Sequence, residues 1–197
     1  MSFENSYNTA DELMRGIAGG DEKAFRKLFE DNIQKLIYFV FAIVKSKDIS
    51  QEIVDEVFIR LWKNRENAVN IRNIKVYLYV AAKNAALNYI SRKAFEQITE
   101  PLTDIDITIN SEQVPDKQMI TAELFNKIHE AVNSLPPRCK IIFKLVREDG
   151  LTYKEVSDIL NISENTVDAQ MVIAAKRIRE KIKLYLDFTP GTVLKKN

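Results

Sequence analysis

The sequence of 197 residues contains one cysteine, one histidine, one tryptophan and five glycines. A single thiol, Cys139, closes no intrachain disulfide, and the natural reading is a reducing, cytosolic setting. Cys139 has no His or Cys at ligand spacing, and His129 has no carboxylate or nucleophile fixed near it. Metal binding and nucleophilic catalysis both need more partners than that, so no metal and no cofactor are expected. No Gly-rich phosphate loop is present, because Gly19-Gly20 follows no strand. No stretch approaches the roughly 18 consecutive apolar residues of a membrane span. The polar, acidic opening MSFENSYNTADE predicts no secretory signal.

An overall excess of base, the usual footprint of a DNA binder, is also missing: the net charge is +1. The charge is instead distributed in blocks. Residues 1–93 carry +3, residues 94–117 carry −5 and residues 118–197 carry +3. Local basic runs of +4 occupy residues 66–93 and 169–183. On charge alone a solvated helix face is the preferred reading of such runs over a nucleic-acid surface.

What the sequence does have is helical period. Apolar residues at 25, 28, 29, 33, 36, 37, 40, 41 and 44 form one stripe, which predicts a helix over residues 21–46 with Asp21 as N-cap. A second stripe, Ile49, Ile53, Val54, Val57, Phe58, Leu61 and Trp62, predicts a helix capped by Asp48. Its opposite face carries Asp48, Glu52, Asp55, Glu56 and Lys63. Residues 66–73 lack a period and read as a loop. A third helix is predicted over 73–92, with Ile74, Leu78, Ala81, Ala85 and Tyr89 inward. Three such helices can close a small bundle.

Residues 94–117 hold Pro101 and Pro115 and no helical stripe. The alternation Leu102, Ile105, Ile107, Ile109 resembles a strand, but a lone strand has nothing to pair with, so an extended linker is the preferred reading. Helical period returns from Met119 to Ser134, with Leu124, Ile128, Ala131 and Leu135 on its stripe. Pro136-Pro137 ends that helix, and Pro137 opens another that runs to about residue 147. The expected fold is all-α: two small helical bundles joined by an extended linker, the second containing a helix-turn-helix. The predicted divisions are residues 1–94, a linker at 95–117, residues 118–188 and a frayed tail at 189–197.

The most informative stretch is LTYKEVSDILNISENTVDAQMVIAAKRIREKI, residues 151–182. Thr152 and Glu155 have capping-box spacing. Val156, Ile159 and Leu160 form an apolar side, and Asn161 tolerates the left-handed conformation that a helix stop often needs. Ile162 can plug the core beneath the turn, and Ser163 can cap a second helix that buries Val167, Met171, Ala174 and Ile178. Two helices joined by a three-residue turn fit a DNA-reading helix-turn-helix, whose second helix enters the major groove by its N-terminal end. The residues exposed there are Glu164, Asn165, Thr166, Asp168, Ala169 and Gln170. Amides pair with adenine, Thr touches a thymine methyl and carboxylates accept from cytosine. Lys176, Arg177, Arg179 and Lys181 lie further along, where phosphates are the nearer partners.

LPPRCKIIFKLVREDGLTYKEVSDILNISENTVDAQ resembles the promoter-reading C-terminal domain of bacterial sigma factors of the extracytoplasmic-function (ECF) type. ISQEIVDEVFIRLWKNRE resembles that family's core-polymerase-binding segment, and NIKVYLYVAAKNAALNYISRK its minus-ten segment. Order and separation agree, and the likeness spans roughly residues 11–186. The resemblance implies an alternative sigma factor without catalytic activity that binds core RNA polymerase and promoter DNA. It implies polymerase contacts at Asp48, Glu52, Asp55, Glu56, Arg60 and Trp62. Minus-ten contacts would fall at Arg72, Asn73, Lys75, Tyr77, Tyr79, Lys83, Asn84, Asn88, Arg92 and Lys93, the two tyrosines offering faces to unstacked bases. Minus-thirty-five contacts would fall at Thr152, Ser163, Glu164, Asn165, Thr166, Asp168, Ala169, Gln170, Lys176 and Arg177. It further implies an anti-sigma factor, often membrane-anchored, while the chain itself is cytoplasmic and takes no small-molecule substrate.

Departures from the family pattern are concentrated in the second helix of the helix-turn-helix, where frequent basic residues are replaced by Asp168, Gln170, Val172 and Ile173. Acid near phosphates costs affinity, so weak isolated binding to the minus-thirty-five element is expected. Two other readings stand beside the sigma factor. One is a free-standing helix-turn-helix regulator that dimerises through residues 21–92. The other is an all-helical enzyme or scaffold, for which no catalytic constellation exists.

Overall fold

The structure, a computed structural model, describes residues 9–97 and 127–188. The chain divides into two compact units, the first holding residues 9–97 and the second most of residues 127–188. Among the described residues there are helices and no strands. The predicted acidic linker past Gln97, its Leu102–Ile109 alternation, the first turns of the helix predicted from Met119, and the tail 189–197 all lie outside the described residues.

The first unit comprises α1 (Ala10–Ala18), α2 (Glu22–Val44), α3 (Lys47–Lys63), a 3-10 helix (Arg65–Asn70) and α4 (Ile74–Gln97). Helices α2, α3 and α4 pack pairwise into a bundle. Leu36 and Val40 from α2, Val54, Phe58 and Leu61 from α3, and Leu78 and Ala82 from α4 fill its centre. Phe58 is flanked by Phe29, 4.9 Å between ring centroids, and by Phe25 at 6.1 Å, both edge-on. Such geometry suits the ring quadrupoles and adds to the area that each ring removes from water. Asp21 caps α2 as expected, accepting from Lys23 N–H at 2.8 Å.

Helix α1 had no counterpart among the predicted elements. It is set by a capping box: Thr9 Oγ1 accepts from Glu12 N–H at 3.1 Å, and Glu12 Oε2 accepts from Thr9 N–H at 3.2 Å. Met14 and Ile17 are buried, and α1 packs on α2 and on the 3-10 helix. Nine residues hold too few turns for a period to stand out, but the Thr-x-x-Glu spacing was present to be read.

Five further expectations need correction. The cap of α3 is Ser46, not Asp48: Ser46 has extended backbone and its Oγ accepts from Ile49 N–H at 3.5 Å. Lys45, left-handed at φ 58°, has already broken the preceding helix. Asp48 sits in the first turn, where its charge favours the helix N-terminus. Residues 66–73 are not all loop, since the 3-10 helix seats Ala68 in the core against α1. Six residues at three per turn show no 3.6-residue stripe.

The inward strip of α4 is rotated by about one residue from its predicted position. Leu78, Tyr79, Ala82 and Ala86 are buried, while Ala81 and Ala85 are only half-buried. Alanines stand in adjacent pairs at 81/82 and 85/86, so composition alone does not fix the rotation of this helix; Tyr79, edge-on to Phe39 at 5.1 Å, does. Helix α4 also runs on to Gln97, past the end of the helix predicted over 73–92. In the second unit, Ile128 is exposed and Val132 takes the buried place.

The second unit comprises α5, described over residues 127–133, α6 (Pro137–Arg147), α7 (Tyr153–Leu160) and α8 (Glu164–Phe188). Pro137 stands in the first turn of α6, where a missing N–H costs nothing. Gly150, at φ 71°, turns the chain after α6. Helix α6 packs along α8, and Val132, Leu135, Cys139 and Ala174 form a core cluster with Phe143 and Ile178 against it.

Cys139 is a structural thiol at that junction, donating to the Gln170 carbonyl at 3.3 Å. Burial pushes its pKa above the ordinary thiol value, and the Arg177 charge opposes that shift. Because the folded pKa is the higher one, the stabilisation from this group is complete below the unfolded thiol pKa. It is lost as pH rises through the folded value. Alkylation of the native chain at neutral pH is expected to leave Cys139 unmodified by mass, with full modification only in denaturant. Stoichiometric labelling without denaturant would contradict the packing described.

Candidate nucleic-acid interface

The helix-turn-helix is built as its residues dictate. Thr152 Oγ1 accepts from Glu155 N–H at 3.2 Å, and Glu155 Oε2 accepts from Thr152 N–H at 2.7 Å, so both halves of the capping box are present. Helix α7 stops at Asn161, left-handed at φ 55°. There the N–H groups of Asn161 and Ile162 both turn back to the Ser157 carbonyl. Asn is among the few residues for which this conformation costs little. Ser163 opens α8, its Oγ accepting from Thr166 N–H at 3.1 Å. Val156 and Ile159 of α7 and Val167, Met171 and Ala174 of α8 are buried, as the two apolar stripes require.

The outer side of α8 is what this packing leaves. Glu164, Asn165, Asp168 and Ala169 are exposed, whereas Thr166 and Gln170 are half-buried. The Thr166 hydroxyl lies 2.8 Å from that of Ser163, so both belong first to the cap. Thr152, whose side chain serves the other capping box, is exposed. Lys176 and Arg177 are exposed further along α8, with Arg179, Lys181 and Lys183 beyond them. Val172 and Ile173 are exposed on the same helix, a feature that the count of inward positions did not bring out.

In the first unit, α3 exposes Asp48, Glu52, Glu56 and Arg60, with Asp55 half-buried. Arg60 and Glu56 pair at 2.6 Å, and Gln51 donates to Asp55 at 2.9 Å. Ile59, 51% exposed, stands among these charges. Sequence reading missed it because it falls off the apolar stripe, although an apolar residue in an otherwise charged face was itself the signal. Trp62 is half-buried at the edge of this face, 4.8 Å from Phe25, with the Arg65 guanidinium 4.9 Å above its ring. Most of its surface is thus covered by the bundle.

Helix α4 sorts its candidates by period. Tyr77, Asn84, Asn88 and Arg92 share one exposed side with Leu87. Lys75, Lys83 and Lys93 fall outside that side. Arg72 and Asn73 precede the helix and are exposed, and Asn73 Oδ1 accepts from Val76 N–H at 3.2 Å, in the position of a cap. Tyr79 is the clear exception. Only 2% exposed, it has no ring face for a base, because the strip that includes Leu78 and Ala82 turns it inward.

A two-unit helical protein carrying a complete helix-turn-helix in its second unit, with an acid-lined helix and a polar–aromatic helix in its first, is a transcription factor in architecture. Residues 28–96 match sigma-70 region 2, and residues 125–178 match sigma-70, region 4. The chain is 24% identical to the ECF RNA polymerase sigma-E factor of Haemophilus influenzae, over 89% of this chain and 96% of that one. It is 26% identical to the sigma-E factor of Escherichia coli strain K12, over 87% and 93%. With the sigma factor SigW of Bacillus subtilis the identity is 24%, over 86% and 95%. The fold resembles that of RpoE from Bartonella quintana, solved in complex with the anti-sigma factor NepR: TM-score 0.60 at 16% identity, over 82% of this chain and 98% of that one. The chain belongs to the sigma-70 family, as an ECF sigma factor of RNA polymerase. It directs transcription initiation, in a family of transcription regulators that are not catalysts.

Proposed function

We propose that the work is divided between the two units, residues 1–94 with the end of α4 forming one and residues 118–188 the other. The first unit docks on core polymerase through α3, using Asp48, Glu52, Asp55, Glu56 and Arg60, with Ile59 at the centre and Trp62 bracing the edge. Charged surroundings with an apolar centre are the usual anatomy of a protein interface. Helix α4 takes the minus-ten strand along Tyr77, Asn84, Asn88 and Arg92, while Arg72, Lys75, Lys83 and Lys93 neutralise phosphates and Asn73 orders the helix start. The second unit lays α8 in the major groove at the minus-thirty-five element. There Asn165, Asp168, Ala169 and Gln170 lie nearest the bases, with Glu164 at their side. Thr152, Ser163 and Thr166 hold the geometry, and Lys176 and Arg177 meet phosphate.

The observation that carries this reading is the complete helix-turn-helix, with both caps and the left-handed stop formed and an apolar side buried on each helix. The chain is not an enzyme and works in the cytoplasm, bound to polymerase. Its counterpart is an anti-sigma factor that covers the polymerase-binding surfaces, a reading supported by the relative solved with one. Purified chain mixed with core RNA polymerase is expected to co-elute on gel filtration and to initiate transcription from discrete sites in a genomic fragment library. Failure to associate at any salt concentration, or a free dimer that binds palindromic DNA without polymerase, would overturn the division of labour.

A further inference from the structure

The exposed front of α8 carries apolar side chains, Ala169, Val172 and Ile173, that phosphate binding does not use. Helical period places Asn165, Ala169, Val172, Ile173 and Lys176 on one side, opposite the buried Val167, Met171 and Ala174. Val172 is 61% exposed and Ile173 39%, and Ala169 is exposed beside them. Neither β-branched residue is there for helix propensity, which both slightly disfavour. The row is bracketed by an amide, Asn165, at one end and continued on the same side by Lys176, Arg179 and Lys183 at the other. Amide, apolar row and cations in that order complement a base edge followed by phosphates, and a protein partner would not need the cations.

The chemistry of the row narrows what it reads. No Lys or Arg occurs between Glu164 and Ala175, so the two-pronged contact with guanine is unavailable from the first three turns. Glu164 and Asp168 can accept from cytosine, but Asp168 is turned about 100° from Ala169 and so sits at the flank of the row. What an apolar side chain finds on a major-groove edge is the C5 methyl of thymine.

We propose that Ala169, Val172 and Ile173 read thymine methyl groups, so that the upstream promoter element is chosen by A·T pairs rather than by guanine. This rests on α8 being the major-groove helix. The cations beyond the row supply register and sequence-independent affinity, and the methyl contacts supply discrimination.

The test uses the full chain with core RNA polymerase and promoter duplexes randomised across the upstream segment, selected by capture of the assembled complex. The selected duplex is then remade with deoxyuridine for each upstream thymidine in turn, which deletes one methyl and keeps the base pair. A·T pairs are expected to be enriched, and deoxyuridine at one or more positions is expected to weaken binding about fourfold, the worth of one buried methyl. In a chain carrying Val172→Ala and Ile173→Ala the thymidine–deoxyuridine ratio should fall to near one. A selection without any upstream preference would remove the major-groove reading of α8 and the proposal with it. A clear preference that is indifferent to the methyl would overturn the proposal alone. If the double substitution then also weakened polymerase binding, the row would belong to a protein contact instead.

Discussion

Phe58→Ala is expected to destabilise the first unit by about 3–5 kcal/mol, the usual cost of deleting a buried phenyl ring. Phe58 is 2% exposed, and its ring is held between Phe25 and Phe29, so no neighbour can follow it into the space. Domain stabilities run at about 5–15 kcal/mol, so the loss takes most of the margin of a small bundle. For a unit of this size each kcal/mol shifts the melting temperature by roughly 4–8 °C. Urea or thermal melts followed by circular dichroism should show an early transition from the first unit, while Cys139 keeps its protection in the second. A loss below about 1 kcal/mol would mean that the aromatic cluster is not the centre of the bundle.

Reversing charge on α3, with Glu52→Lys and Glu56→Lys together, is expected to weaken association with core polymerase by about 10- to 100-fold. Like charge set against a complementary surface costs several kcal/mol at worst, and exposed sites fall below that limit. The substitutions leave folding almost untouched. Among the described residues Glu56 pairs with Arg60, and both side chains are more than half exposed, so the pair contributes under about 1 kcal/mol. The control is therefore a melting temperature within a few degrees of the parent. Affinity would be read by fluorescence anisotropy at several salt concentrations, and the defect should shrink as salt screens the repulsion. Unchanged affinity in a folded double variant would remove α3 from the docking surface.

Long helices were legible because their apolar residues recur over several turns. Helix α2 starts at its expected cap, and α6 occupies the expected residues because proline and glycine mark its ends. The helix-turn-helix was legible for a different reason. Thr152, Glu155, Asn161 and Ser163 each satisfy backbone groups within four residues, so spacing alone implies the contact. Short or ambiguous elements escaped: α1, the 3-10 helix and the rotation of α4 all depend on what packs against them. Trp62 and Tyr79 show the same limit at the candidate sites. Both were eligible contacts by residue type, yet the bundle covers most of Trp62 and nearly all of Tyr79.

The order of amino acids by itself determined the helical class, the helix caps and the helix-turn-helix, because each arises from interactions that close within one or two turns of the chain. Only tertiary packing decided which side of α4 faces inward, that Ala68 and α1 complete the first bundle, and that Ile59, Val172 and Ile173 remain in contact with water. Burial is a property of neighbours distant in sequence, and it separates a contact surface from a core where residue type cannot.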